Sequence, residues 1–141
     1  MRHESWKIRL SLLVEDYRHI PFEWGVNDCI TFAARAVDAV TGLGVYEIVR
    51  AKYHWNDVRS AAKLIANHGG LSNLISEVLG VPNPPFSAKH GDIVLAHNKF
   101  DQPHEDSRLV TVRLEDHLVG PGAAGLIAIP VTASRLSWRV G

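Results

Sequence analysis

Val81-Pro82-Asn83-Pro84-Pro85 limits what this chain can fold into more than any other stretch. Proline has no backbone N–H and a fixed φ, so a run this rich in it excludes both a helix interior and a central strand. The segment is an extended connector, and the hydrophobic period changes across it. Apolar residues recur every three or four positions before the connector and every second position after it. That division predicts an α+β domain with helices over about residues 4–80 and a small antiparallel sheet over about 91–141.

In the helical half, Trp6, Leu10, Leu13 and Tyr17 share one helical face, and Pro21 ends that segment. Ile30, Ala33, Ala34, Val37 and Val40 form the stripe of a second helix that stops at Gly42. The stretch from Gly44 to Trp55 fits either a short helix or an irregular aromatic segment. Asn56 or Asp57 caps a further helix ending at His68-Gly69-Gly70, and a last one carries Leu71, Leu74, Ile75, Val78 and Leu79 before Gly80. In the sheet half, Asp92–Ala96, Arg108–Leu114 and Leu126–Val131 read as strands, with Gly120-Pro121-Gly122 and Gly125 marking a turn. Residues 97–107 form a polar loop long enough to suggest more than connection.

The single cysteine stands at a chemically loaded place. In Trp24-Gly25-Val26-Asn27-Asp28-Cys29, Asp28 is a natural N-cap, which makes Cys29 the first helical residue above unpaired amides and the positive end of the dipole. A free thiol titrates at about 8.5, and a helix N-terminus lowers that by roughly a unit or more, so the position suits a nucleophile. Cysteine is also a common small apolar filler, and that alternative stays open on spacing alone.

Phe22-Glu23-Trp24-Gly25 followed by Asn27-Asp28-Cys29 resembles the nucleophile segment of the NlpC-like cysteine peptidases, a papain-like family that cleaves peptidoglycan stem peptides. Gly91-Asp92-Ile93-Val94-Leu95 is similar to the strand that begins that family's sheet. Trp138-Arg139-Val140-Gly141 looks like the ending of a short branch found among tail genes of bacteriophages and prophages. The resemblance implies a papain-like NlpC-type fold with Cys29 aimed across the sheet. It also implies Trp24, Asn27 and Asp28 beside the substrate and oxyanion, and a histidine opening the strand after the Gly-Asp strand. Here that strand opens at Arg108 or Leu109, and arginine stays protonated at neutral pH. His104 and His117 are the histidines placed to supply the base instead, followed by His97 and His90.

With 141 residues, the chain reads as one domain, and its 15 Lys+Arg balance its 15 Asp+Glu, which disfavours nucleic acid or an anionic membrane as main partner. A lone cysteine rules out an internal disulfide framework and suits a reducing cytoplasm. No segment reads as a signal peptide or a membrane span. His97, Asp101, His104, Glu105 and Asp106 match no zinc spacing, so a polar loop explains them, and neither metal nor cofactor is expected. Trp24, Trp55 and Trp138 either line a glycan groove or fill the core. Two functions follow from the resemblance. One is a structural or docking component of a phage tail, made in the host cytoplasm, carried in the virion and bound to tail hub or tail-tip proteins. The other is an active cysteine peptidase acting on peptidoglycan, with Cys29 as nucleophile.

Overall fold

The computed structural model describes residues 1–97 and 108–141. Helices come first: α1 (Trp6–Tyr17), α2 (Cys29–Thr41), α3 (Val45–Lys52), α4 (Val58–Asn67) and α5 (Leu71–Leu79). Strands follow: β1 (Ile93–His97), β2 (Arg108–Arg113), β3 (Leu118–Gly122), β4 (Gly125–Ile129) and β5 (Ser134–Trp138). All pairings are antiparallel, in the order β4-β3-β2-β1-β5. The domain is α+β, with helices packed on one face of the sheet.

Helix α2 forms where local chemistry places it. Asp28 and Thr31 make a reciprocal capping box, and Gly42 closes the helix at φ 73. Phe32, Ala33, Ala36, Val37 and Val40 then pack with Leu10 of α1 and with Ile93, Leu95, Val110 and Val112 of the sheet. Asp57 and Ser60 form a second capping box at the start of α4. The ambiguous stretch after Gly44 is helix α3. Its N-terminus is capped from another element: the Asp38 carboxylate of α2 accepts from the Val45 and Tyr46 amides, the latter at 2.9 Å.

Helix α1 ends at Tyr17, before Pro21, and just past its end the Arg18 carbonyl accepts the Leu126 amide of β4 at 3.0 Å. Gly125 makes that approach possible, since a Cβ there would lie 2.2 Å from the Arg18 oxygen, at φ +134. Several details differ from the sequence reading. Gly120-Pro121-Gly122 is not the turn; it lies in β3, paired with β4, and the turn falls at Ala123 and Ala124. Gly120 packs closely on β2, where a Cβ would sit 3.4 Å from the Val110 carbonyl oxygen, and a Cβ on Gly122 would meet Ile127 Cγ2 of β4 at 2.6 Å. Ser134–Trp138, not read as a strand from the sequence, is the strand β5 against β1, and the ending motif Trp138-Arg139-Val140-Gly141 begins on its last residue. Trp55 and Trp138 are core residues at 3% and 0% exposure, their indole N–H groups bonded inside the protein, which removes them from any glycan groove.

Arg2 ties distant parts of the chain together. Its guanidinium donates to the Val140 and His90 carbonyls at 2.9 and 2.6 Å and to Asp92 Oδ1 at 3.0 Å, and the Val140 amide donates to the same carboxylate oxygen at 3.0 Å. The Gly-Asp motif and the Trp-Arg-Val-Gly ending are two sides of one clasp.

Candidate functional site

The loop before Cys29 is fixed by backbone bonds at both ends. The Phe22 amide donates to the Gly122 carbonyl at 3.0 Å, and the Glu23 and Asn27 backbones bond reciprocally. Asn27, 2% exposed, donates from Nδ2 to the Ile20 and Pro21 carbonyls, both at 3.1 Å. Its side chain therefore staples the loop. Trp24 is half-buried, edge-on to Phe22 with ring centroids 4.8 Å apart, and packs into the second core cluster beside Trp55.

Asp28 is the hub of this region and is fully buried. Oδ1 accepts the Ile30 and Thr31 amides at 3.0 and 2.9 Å, while Oδ2 accepts the Gly25 amide at 2.8 Å and the Trp55 indole N–H at 2.6 Å. A buried carboxylate is tolerable when its lone pairs are filled in this way. Gly25 is constrained too: at φ +77, a Cβ would lie 2.8 Å from the Trp55 carbonyl oxygen. The Asp28 amide donates to Thr31 Oγ1 at 2.8 Å. That amide and the Ile30 amide are thus engaged inside the cap and are not free to hold an oxyanion. Trp55 was missed from sequence because it lies 27 residues away, in a segment with no regular period.

Cys29 packs against the main core cluster, with the Val110 amide of β2 directed at its sulfur. Burial pushes the thiol up from 9.0 to about 12; the Val110 amide lowers it, the Asp28 carboxylate raises it, and the Cys29 and Ile30 amides lower it by less. The helix N-terminus acts in the anticipated direction but is outweighed. Desolvating a thiolate shifts a pKa by several units, more than roughly one helix end supplies. At neutral pH the sulfur carries its proton.

His117, His90, His68 and His3 each have neighbours other than Cys29. His117 sits at the turn after β2, its Nδ1 2.7 Å from Asp116, on an open cleft of about 370 Å³ between that turn and Leu10, Val14 and Arg18 of α1. Cys29 does not line that cleft. His90 borders it, edge-on to Trp6, and burial lowers its pKa. His68 pairs with Glu77, and His3 accepts the Ser5 amide. His97 ends β1 opposite Arg108, and strand alternation puts both on the Leu95 and Val110 side of the sheet, the side of α2. Among the described residues, no imidazole is one of the groups that set the Cys29 titration. His104, Asp101, Glu105 and Asp106 lie outside the described residues.

A second space lies beneath α2, about 50 Å³, lined by apolar side chains including Ile30, Val37, Trp55, Leu74 and Val110. It is a packing defect of the core, too small and too apolar for a peptide. No described helix is long and apolar enough to cross a membrane. A family model matches residues 1–140 of the chain. No curated protein matches it, and no solved structure does.

Proposed function

The chain belongs to the family described as a domain of unknown function (DUF6950), and from that premise we propose that it is a structural or docking component of a bacteriophage or prophage tail tip, built on an NlpC-like fold whose peptidase chemistry is lost. The observation that carries this reading is the placement of Cys29: a half-buried thiol at the head of α2, packed on the main core cluster, with no imidazole of the described residues among the groups that act on it. A thiol peptidase needs the opposite, a thiolate paired with imidazolium. The element order supports the same reading, with the Asp-Cys helix packed on a sheet whose second strand opens with Arg108. Asn27 and Asp28 hold the loop together, a scaffold role that outlives catalysis. The partners are tail hub and tail-tip proteins, met in the host cytoplasm and kept in the virion.

Thiol chemistry and genetics test this together. With a thiol at about 12, roughly one molecule in 10⁵ is thiolate at pH 7, so iodoacetamide labels Cys29 orders of magnitude more slowly than free cysteine. In phage lacking the gene, tails fail to assemble, and a Cys29→Ala copy restores them. Rapid labelling at pH 6 that depends on His97, His104 or His117, or failure of Cys29→Ala to complement despite normal tails, would instead establish the active peptidase.

A further inference from the structure

Arg35 lies on the outward stripe of α2, in the groove between α1 and α3. Its guanidinium carbon is 4.0 Å from the Tyr46 ring of α3 and 5.5 Å from the Tyr17 ring of α1. Among the described residues no carboxylate pairs with its charge, and its buried Nε has no hydrogen-bond partner. The acid best placed to neutralise it is Asp38, one turn on along the same stripe, but that carboxylate is committed to the amides of Val45 and Tyr46. Two aromatic rings cover the guanidinium, so its remaining capacity lies in the N–H groups around its edge, the geometry that receives a carboxylate side-on.

The groove has an apolar end. About two turns along α2, or roughly 10 Å, Gly42 meets Arg9 of α1; Leu43 follows Gly42 directly and Leu12 stands one helical turn after Arg9, and both side chains are exposed, at 68% and 59%. An arginine framed by two tyrosines, with solvent-facing leucines beside it, has the composition of a protein–protein hot spot.

We infer that the α1–α3 groove is the docking site for a second, different protein, which inserts an aspartate or glutamate onto Arg35 and lays an apolar side chain toward Leu12 and Leu43. This rests on the docking role proposed above and names its chemistry. Charge complementarity selects the occupant, because a half-buried guanidinium that no described carboxylate pairs with gains from a carboxylate desolvated against it.

The test measures binding between the purified chain and each purified tail protein encoded beside it. Arg35→Met, which keeps the length of the stem, should weaken the Kd of the cognate pair at least about tenfold, and Arg35→Lys by less. Arg35→Glu should abolish binding, and an Asp→Lys or Glu→Lys change in the partner should restore it. Circular dichroism melts of each variant verify folding. A Kd that Arg35→Met leaves within about twofold, the lack of any charge-swapped partner that rescues Arg35→Glu, or Arg35-dependent self-association in sedimentation would each overturn the inference while leaving the docking role intact. If the wild-type chain binds none of those proteins, the docking role falls, and this site with it.

Discussion

Trp55→Phe is the sharpest probe of the loop that presents Cys29. The substitution keeps an aromatic ring in the second core cluster but deletes the N–H that reaches Asp28 Oδ2 at 2.6 Å, leaving that oxygen with the Gly25 amide alone. A hydrogen bond to a charged, buried acceptor contributes about 1.5–3 kcal/mol, so a loss of about 2 kcal/mol is expected, plus a smaller amount for the reduced ring. Asp28→Asn is the complementary change. An amide that keeps its oxygen toward the Ile30 and Thr31 amides must point its NH₂ at two donors, Gly25 N and Trp55 Nε1. Losing both bonds costs about 3–6 kcal/mol, a large share of a domain stability of about 5–15 kcal/mol. In the double variant one of the opposed donors is gone, so the two costs fall short of additive by about 1.5–3 kcal/mol. Urea denaturation followed by circular dichroism at constant m value measures all three. A Trp55→Phe cost under about 0.5 kcal/mol, or additivity within about 0.5 kcal/mol, refutes the account of Asp28 as the hub.

Gly125→Ala should destabilise by about 2–4 kcal/mol, since the new methyl meets the Arg18 carbonyl and left-handed strain adds to a lost backbone bond; a melting temperature equal to wild type would contradict it. Asp92→Ala strips the partners of Arg2, the Val140 amide and the Lys89 amide, with an expected cost of about 2–4 kcal/mol by denaturant midpoint. Cys29 should also shape the alkaline limb of stability. Its folded pKa of about 12 lies above its ordinary 9.0, so the native state binds the extra proton, and this contribution is complete below about pH 9 and lost as pH rises toward 12. In Cys29→Ala that component of the alkaline slope should vanish.

The parts of the fold legible in the sequence are those decided within one turn of chain. Asp28 announces one helix start and Asn56 or Asp57 another, the structure choosing Asp57, and Gly42 and Gly80 announce two ends. Where a partner comes from elsewhere, local reading runs out. Helix α3 is capped by Asp38 of another helix, so Gly44 to Trp55 looked undecided. Pro121 and its glycines look like a turn until β4 supplies their pairing and β2 their close packing. The candidate site divides in the same way. Its helix-start geometry was readable, whereas the Asp28–Trp55 bond and the burial that outweighs the dipole at Cys29 are tertiary, and no spacing rule contains them.

The order of strands has a consequence for biosynthesis. β1 sits between β2 and β5, and the Arg2 and Asp92 side chains wait for Val140, 138 residues beyond Arg2. A ribosome must therefore release the chain through Val140 before β1 gains its second neighbour and Asp92 its last donor. Until then a nascent chain carries an open strand edge and a half-satisfied carboxylate, which makes that interval the time when a chaperone, or an early-arriving assembly partner, has most to grip.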